Sequence, residues 1–145
     1  SAAGDGMTNY TPQDAIERIQ AIARGLTGIV EAPNYPPESV NQFPFALTYY
    51  RQGNTTLMSG WRKGLHTVFC EFHLARQILP ATVQSAMPFY ERFMAAIEAD
   101  PTLGGRVSTI ISPVNHTFGW LEYGSQDNKH LGWRFELTFK QEVNA

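Results

Sequence analysis

His66, Cys70 and His73 are the residues whose types and spacing come nearest to a metal site, since imidazole nitrogen and thiolate sulfur are ligands zinc takes in proteins. On a helix all three would lie on one face. On a strand His66 and Cys70 share a face while His73 points away, so at most two could converge, and no second cluster supplies further ligands. Glu71 and His73, two residues apart, share a strand face and could form an acid–base pair, which Arg134 could join along a cleft. No serine or cysteine stands in a Gly-x-Ser-x-Gly elbow to serve as nucleophile. Gly104-Gly105 lacks the Lys-Ser or Lys-Thr of a phosphate loop and precedes a strand, so it reads as a turn. Trp61-Arg62-Lys63 is the densest basic and aromatic cluster and could stack on and pair with nucleic acid, although three residues suit a solvated hairpin end better. The expectation is therefore of no catalytic, cofactor-binding or metal-binding residue, with two polar residues on a solvated strand face.

The elements that must position these residues can be read from periodicity. Thr11-Pro12-Gln13-Asp14 begins a helix: a hydroxyl cap, proline at the first helical position and an acid in the first turn. Ile16, Ile19, Ala23 and Leu26 follow at helical spacing. From Ile29 to Pro44 the pattern vanishes, and Pro33, Pro36 and Pro37 preclude a regular element, leaving Tyr35 and Phe43 to pin a long loop. Phe45 to Arg51 reads as a strand, Gln52-Gly53-Asn54 as a turn and Thr55 to Lys63 as the returning strand of a hairpin.

Gly64 permits a break before Leu65 to Ala75. That run fits a helical stripe through Leu65, Val68, Phe72 and Ala75, but also alternates at period two, and its β-branched and aromatic content favours a strand. Thr82 to Ala99 predicts a second helix with Val83, Met87, Tyr90, Met94 and Ile97 on its stripe, widened by Phe89 and Phe93 and either bent or started afresh at Pro88. Val107 to Ile111 reads as a short strand. In the last run Trp133, Phe135, Leu137 and Phe139 alternate with Arg134, Glu136, Thr138 and Lys140, which predicts one buried and one solvated face. The expected fold is α+β: one domain over residues 7–145, with a mixed, mostly antiparallel sheet packed by two helices in the order α-β-β-β-α-β-β.

Composition supports a globular domain. Of the 145 residues 43% are hydrophobic and 12% aromatic, enough for a core without staples. A formal net charge of -2 gives no electrostatic reason for nucleic acid or an anionic membrane as the main partner. The one cysteine precludes an internal disulfide and suits a reducing compartment. The Asn54 and Asn115 glycosylation triplets are of a kind that arises often by chance, and no apolar run approaches the roughly 18–20 residues of a membrane span. Ser1 to Gly6 lacks the apolar centre of a signal peptide and reads as an expression scar, with Met7 the natural start.

Four stretches resemble the tail-terminator (tail-completion) proteins of long-tailed bacteriophages. They are Tyr35-Pro36-Pro37-Glu38-Ser39-Val40 followed by Phe43-Pro44; His66 to His73 running through Ala75-Arg76 to Ile78-Leu79-Pro80 and an amphipathic helix; Asp100-Pro101-Thr102-Leu103-Gly104-Gly105-Arg106-Val107; and Leu131-Gly132-Trp133-Arg134-Phe135-Glu136-Leu137-Thr138-Phe139. Together they span most of the chain in the order that family uses, and the resemblance too implies a strand for Leu65 to Ala75. It implies a homo-oligomeric ring, usually a hexamer, at the head-proximal end of the tail in the virion, assembled in the host bacterial cytoplasm. Its partners would be the tail tube protein and the neck (head-completion) protein, with DNA passing through the pore without specific binding. The family gives no catalytic residue to carry over. Subunit contacts are expected at Tyr35, Phe43, Tyr49, Trp61, Arg62 and Lys63, on the loop and hairpin. The competing readings are a head-completion protein and a small-ligand-binding or enzymatic α+β domain built around Glu71, His73 and Arg134.

Overall fold

Thr11 caps the first helix as its side chain allows. In the computed structural model, which describes residues 9–144 (of residues 125–127 the backbone alone), its hydroxyl accepts from the Asp14 amide at 3.2 Å while the Thr11 amide donates to the Asp14 carboxylate at 2.8 Å. Residues 1–6, read from the sequence as an expression scar, and Met7 lie outside the described residues. Helix α1 (Pro12–Arg24) buries the expected Ile16, Ile19 and Ala23 together with Ala15 and Gln20. Gln20 is the unforeseen member. Its amide donates to the Ala46 carbonyl at 2.9 Å and accepts from the Thr48 hydroxyl at 2.6 Å, so a polar group bolts the helix to the sheet without being left unpaired.

The sheet has four strands, β1 (Phe45–Met58), β2 (Trp61–Ala75), β3 (Thr109–Tyr123) and β4 (Ser125–Asn144), ordered β1-β2-β4-β3 and antiparallel throughout. Leu65 to Ala75 is a strand. The helices lie against one face, where Phe72, Phe93 and Phe135 meet with ring centroids 4.7–5.8 Å apart.

The three strands expected between Phe45 and Ala75 are two. Gln52-Gly53-Asn54 does not turn; it runs within β1, just after a register shift between Tyr50 and Gln52, and the hairpin turns at Ser59-Gly60, where Gly60 has φ +83°. Gly53 is needed for close approach: a Cβ there would lie 2.6 Å from the Leu65 carbonyl oxygen across the ladder. Gly53→Ala should therefore destabilise by about 1–3 kcal/mol through strand displacement. A urea midpoint equal to that of the parent would return the turn to Gln52–Asn54.

The predicted second helix is two, α2 (Pro80–Ala86) and α3 (Pro88–Glu98). Pro88 has no amide proton to continue the ladder and takes the first position of α3, so the element order is α-β-β-α-α-β-β. Its buried row is Phe89, Phe93 and Ile97, whereas Met87 is exposed and Tyr90 and Met94 only flank the core. The short strand predicted at Val107 begins at Thr109 and extends to Tyr123, with a register irregularity at Ile111–Asn115 around Pro113.

Two tethers complete the frame. The amide of Val30 donates to the Pro44 carbonyl at 2.8 Å and that of Ala46 to the Glu31 carbonyl at 2.9 Å, closing the loop 25–44 at its base. The segment before α1 meets the end of β4, where the Asn9 amide donates to the Asn144 carbonyl at 2.8 Å and the Asn144 N–H to Asn9 Oδ1 at 3.2 Å.

Candidate functional site

The face of the sheet away from the helices is where the sequence and the structure part. Alternation places Thr67, Phe69, Glu71 and His73 of β2 on it, beside Gly132, Arg134 and Glu136 of β4. This face was expected to be solvated. At one end it is covered instead, because the loop lays Val40 and Phe43 over Phe45, Leu47 and Tyr123 in a second apolar cluster. Glu71 is 2% exposed and His73 fully buried. The row of β4 expected to be solvated is likewise engaged, since Arg134 reaches in to Glu71.

Glu71 is the hub. Its Oε2 accepts from Arg134 Nε at 2.8 Å, Arg134 Nη2 at 2.7 Å and the Tyr49 hydroxyl at 2.7 Å, and its Oε1 pairs with His73 Nε2 at 2.9 Å. Burial alone would raise this carboxyl, but the hydrogen bonds from His73, Tyr49 and Arg134 outweigh it and hold the pKa below its ordinary value. Burial, with the Glu71 carboxylate, in turn raises the Tyr49 phenol.

The chain continues inward. His73 Nδ1 lies 2.9 Å from His130 Nδ1. An ionised Glu71 can only accept, so His73 Nε2 carries a proton; in the neutral ring its Nδ1 then accepts, and His130 Nδ1 is the donor. That leaves His130 Nε2 buried with no hydrogen-bond partner among the described residues. Burial, and then the nearby His73 and Arg76, lower the His130 pKa to about 4. The Phe43 ring stands edge-on to His130 at 4.8 Å and also carries the Arg76 guanidinium, 4.9 Å from its centroid.

The other candidates disperse. Cys70 is buried in the core on the helix-facing side, where burial pushes its thiol up to about 12. His66 shares that side and contacts the Tyr50 hydroxyl at 2.8 Å, while His73 lies opposite. Among the described residues no three His, Cys, Asp or Glu side chains are grouped to hold a metal ion. Glu71, His73 and Arg134 do come together, but Glu71 and His73 are buried rather than set along a cleft. Only Arg134 reaches the adjoining shallow groove of about 280 Å³, where it and Arg51 flank Phe69 at 4.7 and 5.3 Å.

Of the expected contact residues, Tyr35 is 63% exposed, while Phe43 and Tyr49 are committed to His130 and Glu71. Trp61, Arg62 and Lys63 open β2 beside the hairpin turn, with Arg62 the most exposed. Sequence reasoning missed His130, although carrying the alternation of Arg134 and Gly132 two residues further back places it on their face. It also missed Leu57 and Met58, 80% and 41% exposed at the hairpin tip. Comparison with known proteins gives no match to this chain, either from a protein-family model or from a curated protein.

Proposed function

We propose that this chain is a structural subunit of virion assembly, a tail terminator that closes into a ring, caps a phage tail tube and joins it to the neck. The resemblance of four ordered stretches supplies the family, and one observation supports the mode of assembly. From Gln52 to Met58 β1 is exposed at the sheet edge and carries no charge and no proline, ending in the apolar pair Leu57 and Met58. Sheet edges are ordinarily blunted by charge, proline or irregularity, as β3 is around Pro113 and β1 by its register shift between Tyr50 and Gln52, beyond which β1 pairs without further interruption. An edge left open in this way suits a partner strand.

Ring closure needs two different patches per subunit, and the hairpin and the loop Ile29–Pro44 provide them at separate places. Prolines in the loop limit the ordering entropy lost when it docks. The polar groups that converge at Glu71 are spent on one another, which suits a scaffold more than a reactive centre. A net charge of -2 is compatible with a pore that passes DNA without holding its phosphates.

Leu57→Asp should abolish ring formation on tail tubes, seen by electron microscopy, while shifting stability by less than about 0.5 kcal/mol. Rings of unchanged yield would move the contact away from the hairpin tip. The function itself is tested by a phage with a stop codon in this gene. Filled heads beside unjoined tails of abnormal length are expected. Normal-length tails beside heads that leak DNA would assign the neck role instead, and infectious virions would end the assembly reading.

A further inference from the structure

The buried pair His73 and His130 lies beneath the loop that the proposed function uses as one of its surfaces. The loop is held to the sheet there by few contacts. Arg76 Nη2 donates to the Val40 carbonyl at 3.4 Å, the Tyr123 hydroxyl donates to the Pro37 carbonyl, Phe43 rests on His130, and Val40 packs among Phe45, Leu47 and Tyr123. Arg76 also caps the Phe43 ring, so one cation secures two residues of the loop.

The surroundings of His130 are unsuited to a charge. From β2 it faces His73 and from the segment after β2 the Arg76 cation, while the Tyr123 phenol at the end of β3 stands edge-on to His73 at 5.8 Å. On β4 itself its neighbour Lys129 is exposed. From the loop it meets apolar Phe43. The carboxylate of this network, Glu71, lies beyond His73 and is already saturated by Arg134, Tyr49 and His73. A proton on His130 Nε2 would thus add a second cation beside Arg76, with no counter-ion and no acceptor in contact among the described side chains.

We propose that His130 makes the seating of Pro36–Phe43 acid-sensitive: uptake of a proton at its unpartnered Nε2 repels Arg76, lifts Phe43 and frees the loop from the outer face of the sheet. The device belongs to the isolated chain and operates whether or not the loop meets a neighbouring subunit. Where the loop is a ring contact, acid would loosen that contact.

The direction follows from linkage. A histidine held near pKa 4 when the loop is closed, against 6.5 when it is free, binds its proton more tightly in the open state. The closed loop keeps its full stability above about pH 6.5 and loses it progressively as pH falls towards 4. Glu71 acts in a lower window, because its own pKa is held below the ordinary 4.5.

An NMR titration of the isolated chain from pH 7.5 to 4 tests this. The backbone signals of Val40, Gln42 and Phe43 should shift or broaden with the midpoint of the His130 ring, the open fraction rising roughly tenfold per pH unit below about 6.5, while α1 and α3 signals stay in place. In His130→Phe the loop signals should remain flat down to pH 5. Loop signals indifferent to pH in the parent, or shifting with an unchanged midpoint in the variant, would overturn the proposal. Should the variant fail to fold, the parent decides alone, since different midpoints for ring and loop would be equally fatal.

Discussion

Glu71→Ala should destabilise the protein by about 3–5 kcal/mol, far more than a change on a solvated strand face. The carboxylate is 2% exposed and receives the Tyr49 hydroxyl, His73 Nε2 and two bonds from Arg134. Removing it leaves the buried His73 donor and the Tyr49 hydroxyl without an acceptor, each a loss of about 1–3 kcal/mol. Arg134→Ala should weaken folding less, by about 1–2 kcal/mol, because Arg134 is 37% exposed and Glu71 keeps two other donors. The double variant should be milder than the sum by at least about 0.5 kcal/mol, since both changes act on one network. Urea melts decide. Additive effects, or a Glu71→Ala loss below about 1 kcal/mol, would mean that the hub carries no cooperative stability.

Phe135→Ala should cost about 3–5 kcal/mol for a different reason. Phe135 is fully buried at the centre of the aromatic cluster, 4.7 Å from Phe93 and 5.8 Å from Phe72 by ring centroids. Truncation removes apolar contact and leaves a cavity that rigid rings on a sheet and a helix close poorly. Phe135→Leu should recover more than half of the loss. If both variants melt together with the parent, the core does not centre on this row.

These two residues also mark where the sequence was legible. Phe135 belongs to a strict alternation, and its burial follows from local pattern alone, as does α1 from the Thr11 and Asp14 cap. Glu71 and His73 alternate just as cleanly, yet the end of the face they share is covered by a loop about thirty residues earlier in the chain that has no periodicity. Val40 and Phe43 carry no signal of where they will land, so a face that reads as polar proves to be buried. The hairpin turn was misplaced for a related reason. Gly53 resembles a turn residue until the approach of the Leu65 carbonyl across the ladder is known. Pro88 shows the reverse case, where a local rule gives both a bend and a fresh start, and the fold takes the second.

The pairing of Asn9 with Asn144 has a practical consequence. β4 ends opposite Trp61, so Asn9 and Asn144 both sit beside the hairpin tip. An affinity tag or fluorescent protein joined directly at Asn9 or Asn144 would start next to the hairpin tip that carries Leu57 and Met58, and cleaving it off becomes part of any assembly assay. The turn at Gly124 lies at the far end of β4 and offers a place for an inserted label that leaves the tip clear.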